Sequence, residues 1–191
     1  TNPSLMLKAG KDPREVLKEI SDIFPFHASV SAEVVGDSVE EMLEMADDYI
    51  EIGPNITIKV PLTPEGLKVC KDLSTDDVAV NVTLCFSTAQ AILAAKAGAT
   101  YVSPFVGRVN DQSFDGIKLI EEISDVYATH KQKTQVLAAS IRDVHQVASC
   151  FRVGADICTI PSKIFSGMYK HILTDQGIAK FDEDWTKLVG G

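Results

Sequence analysis

Basic residues are in short supply in this 191-residue chain: 18 Lys and Arg stand against 27 Asp and Glu, a net charge of −9. That balance argues against nucleic acid or an anionic membrane as the main partner, because either polyanion is repelled overall, although local basic spots can persist. Cysteine is also sparse. Cys70, Cys85, Cys150 and Cys158 form no C-x-x-C pair and no zinc-type spacing, so buried, reduced thiols of a cytosolic protein are expected. No apolar run is long enough to span a bilayer, and no signal peptide is visible. The four histidines, His27, His130, His145 and His171, lack any mutual spacing that suggests a metal or a triad, and they read as surface or structural groups. No linker, low-complexity stretch or composition break divides the chain. With 45% hydrophobic residues it can bury one substantial core, so one domain over residues 1–191 is expected. The opening "TNPSL" carries no initiator methionine, so further residues are expected upstream.

What is present is a regular alternation. Strands are expected at 29–35, 56–60, 78–83, 100–106, 135–140 and 156–160, where short β-branched runs occur. Helices are expected between them, at about 13–23, 38–51, 64–73, 88–97, 114–129, 143–153, 162–171 and 175–188. Their starts are marked: "DPRE" offers Asp12 as N-cap, Pro13 at the first helical position and Glu15 for a capping box. Ser87 and Gln90 stand in the same relation, and Thr63 with Pro64 opens another helix. Acidic runs such as "EEMLEMADDY" (40–49) read as solvated helix faces, and Trp185 as a packing anchor in an acidic C-terminal helix. Strict β-α alternation implies a parallel sheet.

Such a sheet can be open and doubly wound, or closed into a (β/α)8 TIM barrel. Side chains alternate faces along a strand, so Ile56, Ile58 and Val60 share one face while Thr57 and Lys59 share the other. The split recurs for Val78, Val80 and Val82 against Ala79, Asn81 and Thr83, and for Val30, Ala32 and Val34 against Ser29, Ser31 and Glu33. An open sheet covered on both sides should be apolar on both faces. One aliphatic and one polar face instead match a barrel with its helices outside and a functional mouth at the C-terminal rim.

Lys59, inside the strand "ITIKVP", would then point inward. Alone, a strand lysine more commonly snorkels to water from an edge. Here Glu33, Asn81, Thr83, Ser103 and Ser140 fall in inward phase on other strands, so several segments converge on one polar cavity. Low-dielectric walls disfavour an ammonium ion, and a neutral amine is a nucleophile toward carbonyls. No His/Cys/carboxylate cluster suggests a metal, and a protonated imine needs none as electron sink. Arg108, closing "SPFVGR", and Arg142, two residues after Ser140, make a plausible phosphate clamp because guanidinium forks match phosphate oxygens. The plainer reading pairs these arginines with acidic neighbours such as Asp111 or Asp143.

Taken in order, "TNPS" (1–4), "KVP" (59–61), "NVTLCFS" (81–87), "SPFVGR" (103–108) and "LAASIR" (137–142) resemble the successive barrel motifs of transaldolases. The length is similar to the small-subunit branch, which also contains the fructose 6-phosphate aldolases, and the likeness runs as far as "KFDEDW" (180–185). The resemblance implies Lys59 as Schiff-base lysine, Glu33 as the acid that activates the catalytic water, and Thr83 as a second holder of that water. It further implies Asn2 and Asn81 at substrate hydroxyls, Ser103 and Phe105 in the substrate site, and Arg108, Ser140 and Arg142 at phosphate. No cofactor or metal is implied. Phosphorylated sugars would be the partners, in a cytoplasmic homo-oligomer, by resemblance a decamer of two stacked pentamers with C-terminal helices reaching neighbours. The family also carries an aspartate in an "LD" motif on its first strand. That strand and its helix have no counterpart here, since "TNPS" normally follows the second strand.

Three functions follow. The first is a transaldolase of the pentose phosphate pathway, moving a dihydroxyacetone unit from sedoheptulose 7-phosphate or fructose 6-phosphate to an aldose phosphate. The second is an aldolase releasing free dihydroxyacetone, and the third is a phosphosugar-binding barrel without catalysis. By the same resemblance, Glu33 and Phe105 belong to the transaldolase pattern, where aldolase members tend to have glutamine and tyrosine; Phe105 can also be plain inward packing.

Overall fold

The computed structural model describes residues 1–24 and 27–190. Among them the chain runs α1 (Pro3–Ala9), α2 (Pro13–Ile23), β1 (Val30–Glu33), α3 (Val39–Ile50), β2 (Ile56–Pro61), α4 (Pro64–Thr75), β3 (Val80–Cys85) and α5 (Thr88–Lys96). It continues through β4 (Tyr101–Pro104), α6 (Val106–Asp111), α7 (Gly116–Thr129), β5 (Gln135–Ala138), α8 (Val144–Arg152), β6 (Ile157–Cys158), α9 (Ser162–Gly167) and α10 (Ile172–Val189). The strands form one sheet in the order β1-β2-β3-β4-β5-β6, every neighbouring pair parallel.

Local chemistry starts the helices where the sequence says they start. Asp12 accepts from the amides of Arg14 and Glu15, Thr63 from Gly66, and Ser87 from Gln90. Gln90 does not close a full capping box, because its side chain accepts from the Phe86 amide instead. A complete box forms at α3, between Ser38 and Glu41. Gly66 matters for packing: a Cβ there would lie 2.0 Å from the Pro61 carbonyl oxygen, so glycine lets α4 begin close over the end of β2.

The aliphatic strand face packs under the helices as the alternation requires. Ala32, Ile58, Val60, Val80, Val82, Val102, Val136 and Ala138 are buried in one core with Met42, Val69, Ala91, Ile120, Ile123 and Val147 from the surrounding helices. The other face curls inward as a half-barrel, so that one cavity is lined from Ser31 on β1 to Thr159 just past β6. This is an α/β arrangement of six parallel strands. Among the described residues β1 and β6 do not pair with each other, so no closed ring of strands is seen.

Several boundaries differ from those expected. α1 and α6 arise where no helix was expected, and α10 begins at Ile172 rather than near 175. The strand expected over 135–140 ends at Ala138. Trp185 is 64% exposed on α10 and anchors no core. His171 has a structural use, since its ring nitrogen accepts from the Leu173 amide at the start of α10. No helix among the described residues is long and apolar enough to cross a membrane.

Candidate active site

Parallel register sets the centre of the site. Glu33 pairs with Lys59 across β1 and β2, and Lys59 pairs with Asn81 across β2 and β3. Register partners on adjacent strands project to the same face, so all three side chains stand side by side on the concave surface. Lys59 is buried, and its Nζ lies 2.7 Å from Glu33 Oε2 and 3.5 Å from the Thr1 carbonyl oxygen.

A hydroxyl-amide chain continues from there. Ser103 Oγ donates to Asn81 Oδ1 at 2.7 Å, and Asn81 Nδ2 donates to Ser31 Oγ at 3.3 Å. Asn81 and Ser103 are buried and satisfied, which fixes the orientation of the amide next to the lysine. Asn2 reaches the cavity from the start of α1, where its Oδ1 accepts from the Leu5 amide and its Nδ2 remains for another acceptor.

Thr83 follows Asn81 on the same face, paired with Pro61. It is fully buried, and its hydroxyl makes no hydrogen bond with another described residue. Just beyond it the register between β3 and β4 shifts, and Leu84 adopts left-handed backbone with φ 58°. Such irregularities re-aim side chains at a strand end.

The cavity holds about 370 Å³ and is lined by Asn2, Ser31, Lys59, Asn81, Ser103, Phe105, Arg108 and Ser140 among others. Phe105 packs its ring 5.6 Å from that of Phe86, and the Arg108 guanidinium carbon lies 4.8 Å from the Phe105 ring centre. Ser140 arrives by a different route from the one its strand phase suggested. It lies past the end of β5, one residue out of step with cavity-lining Leu137 and Ala139, and left-handed backbone at φ 61° turns it to the cavity rim.

Arg142 departs most from the expected arrangement. Its two terminal amino groups grip both carboxylate oxygens of Asp111, and it lines a neighbouring cavity with Arg108, Asp111, Phe86 and Phe114. These hydrogen bonds hold the Asp111 carboxyl below its usual range and raise the guanidinium. Arg108 and Ser140 therefore share the Lys59 cavity, while Arg142 stands beside it in the acidic pairing that the plainer reading foresaw.

Two contributors named in the sequence gained a place in the site only from the fold. Ser31 was legible from the same alternation that pointed to Glu33, but only its contact with Asn81 distinguishes it from the other small polar residues of the strand. Asp111 had no periodic signal. Among the described residues no group of three or more His, Cys, Asp and Glu side chains gathers to hold a metal ion.

The family model for transaldolase/fructose-6-phosphate aldolase matches residues 1–191. The chain belongs to this family. A probable transaldolase of Paracoccus denitrificans (strain Pd 1222) is 52% identical over 187 residues, covering 98% of this chain and 85% of that protein. One from Cereibacter sphaeroides (strain ATCC 17025 / ATH 2.4.3) is also 52% identical, over 98% and 84% of the two chains. One from Caulobacter vibrioides (strain NA1000 / CB15N) is 46% identical over 97% and 84%. Membership in the transaldolase/fructose-6-phosphate aldolase family thus covers both the strands that carry Glu33, Lys59 and Asn81 and the segments that carry Arg108, Ser140 and Arg142.

Proposed function

We propose that the chain is a transaldolase, moving a dihydroxyacetone unit from a ketose phosphate such as fructose 6-phosphate or sedoheptulose 7-phosphate to an aldose phosphate. The observation that carries this reading is Lys59 itself: a buried amine on the concave face of the sheet, 2.7 Å from a single carboxylate and open to a polar cavity. Relatives named probable transaldolases support it.

In the neutral form, Lys59 Nζ attacks the C2 carbonyl of the ketose, and loss of water from the carbinolamine leaves a protonated imine. A base takes the proton of the C4 hydroxyl as the C3–C4 bond breaks. The bonding pair moves to the imine nitrogen, releasing an aldose phosphate and leaving an enamine on the lysine. The enamine carbon then attacks the aldehyde of the acceptor, which takes up a proton at its oxygen, and water hydrolyses the new imine. Glu33 is placed to exchange protons with the nitrogen and with the water, because its carboxylate already contacts Nζ. Thr83, buried just behind the cavity lining with a hydroxyl that has no partner among the described residues, suits a hydrogen bond to that water. Asn81, held by Ser31 and Ser103, suits the substrate hydroxyls, as does the free amide of Asn2. Arg108 and Ser140, with Arg142, suit the phosphate end. All of this chemistry runs on side chains, without a cofactor or metal as reactant.

Completion of the barrel and assembly into a homo-oligomer belong to the same reading. Ile178, Phe181, Trp185 and Leu188 stand exposed on α10, where a neighbouring subunit would cover them. Light scattering in solution tests the assembly.

Borohydride added with fructose 6-phosphate should reduce the imine and fix a three-carbon or six-carbon adduct on the peptide that carries Lys59. A coupled assay with erythrose 4-phosphate should then show transfer exceeding release of free dihydroxyacetone. Absence of any adduct at Lys59 would leave a binding barrel, and dominant dihydroxyacetone release would make the activity an aldolase.

A further inference from the structure

The pairing of Arg142 with Asp111 leads beyond that reading while resting on its phosphate site. Asp111 is the last residue of α6, three residues after Arg108, so one short helix contributes one arginine to the cavity and holds the other through a carboxylate. The held guanidinium crosses over Gly107. A Cβ at Gly107 would fall 2.7 Å from Arg142 Nε, 2.9 Å from Ser140 Oγ and 2.2 Å from the Ser140 carbonyl oxygen. Only bare backbone lets the guanidinium and the serine hydroxyl converge on that spot. Asp111 takes one N–H from each terminal nitrogen, which leaves Nε–H free, and Nε is the Arg142 atom that lies with Ser140 Oγ over Gly107.

We propose that Asp111 is a positioning residue for the phosphate end of the cavity: by gripping the Arg142 fork it holds the guanidinium plane with Nε–H beside the Ser140 hydroxyl, ready for a phosphate monoester. An arginine side chain carries several rotatable bonds, and fixing it beforehand removes an ordering cost from binding. The carboxylate also repels the phosphate it helps to seat. Coulomb's law alone therefore says that neutralising Asp111 should tighten phosphate binding, whereas positioning says that it should weaken it. The two ideas differ in sign.

The test is Asp111→Asn, made in the native chain and in an Arg142→Ala background. Inorganic phosphate serves as competitive inhibitor, with erythrose 4-phosphate and unphosphorylated D-glyceraldehyde as alternative acceptors. Expected in the native background is a rise in the phosphate inhibition constant and in KM for erythrose 4-phosphate of about twofold to fivefold, with kcat retained. KM for D-glyceraldehyde should stay level, and in the Arg142→Ala background the substitution should no longer weaken phosphate binding, since only the carboxylate's repulsion is left to remove. Asp111 is 45% exposed at its side chain, so the variant should fold; if it does not, Asp111→Glu keeps the charge, displaces the grip by one methylene and should move the same constants in the same direction. Tighter phosphate binding in Asp111→Asn, no change, or an equal loss without Arg142 would each overturn the proposal. Should Arg142→Ala by itself affect both acceptors alike, the phosphate site is what fails; should it discriminate between them while Asp111→Asn is silent, only the positioning role is lost.

Discussion

Lys59 and Glu33 face each other across two neighbouring parallel strands in exact register, Nζ to Oε2 at 2.7 Å, with both side chains mostly withdrawn from water. Neither element alone could arrange this contact. β1 supplies the carboxylate and β2 the amine, and the shared register puts them on one face.

Replacement of Lys59 by Arg or Met should abolish turnover and borohydride trapping while circular dichroism stays native-like. Arginine keeps the charge but cannot supply a deprotonatable primary amine. A folded variant with near-native rate would rule out the imine.

The pair should also show in stability. Removing one partner of a buried ion pair leaves the other without compensation, so Lys59→Met is expected to unfold at lower urea than the native chain. Adding Glu33→Gln should recover part of that loss, with a coupling of about 1 to 3 kcal/mol in the double-mutant cycle. Additive effects would mean that the contact contributes little in solution.

At the phosphate end, Arg142→Ala should raise KM for phosphorylated acceptors about tenfold to a hundredfold, as loss of one charge-assisted contact of about 1.5 to 3 kcal/mol would do. Turnover of D-glyceraldehyde should change far less. Steady-state kinetics on the two acceptors makes the comparison.

Phe105→Tyr places a phenolic hydroxyl at the cavity wall, where the ring now packs against Phe86 and under Arg108. Water attack on the dihydroxyacetone imine should then compete better with transfer, raising the ratio of free dihydroxyacetone to transferred product. Glu33→Gln should slow or shift the same partition. An unchanged ratio in Phe105→Tyr would return that residue to plain packing.

Cys70 and Cys85 lie buried, and desolvation pushes each thiol from its reference value of 9.0 up to about 12. Unfolded chains would ionise these thiols first, so the folded state holds more protons between those values. Stability they contribute is therefore complete below about pH 9 and lost progressively as pH rises toward 12. Denaturation midpoints measured across that range should fall less steeply in Cys85→Ala than in the native chain.

Much of the site is legible in the sequence because strand chemistry is local. Period-two alternation marked Lys59, Glu33, Asn81 and Ser103 as sharing one face, and the cavity carries all but Glu33 on its lining, with Glu33 bonded to Lys59. Helix starts were equally legible, since an N-cap needs only its own next three residues, as at Asp12, Thr63 and Ser87. Ser140 shows where this logic stops. Once the strand ends, alternation carries no information, and a left-handed backbone decides where the side chain goes.

By itself, then, the sequence determined the β-α order, the parallel sheet, which strand face is polar and which lysine lies on it, because each depends on spacing along a few residues. Tertiary structure decided the rest. It brought Glu33 within 2.7 Å of Lys59, linked Ser31 to Ser103 through Asn81, left the Thr83 hydroxyl without a partner among the described residues, and tied the Arg142 fork to Asp111 beside the Lys59 cavity. Such pairings join residues about 20 to 50 positions apart. Their distances are set by inter-strand register and helix packing, and no local pattern encodes those.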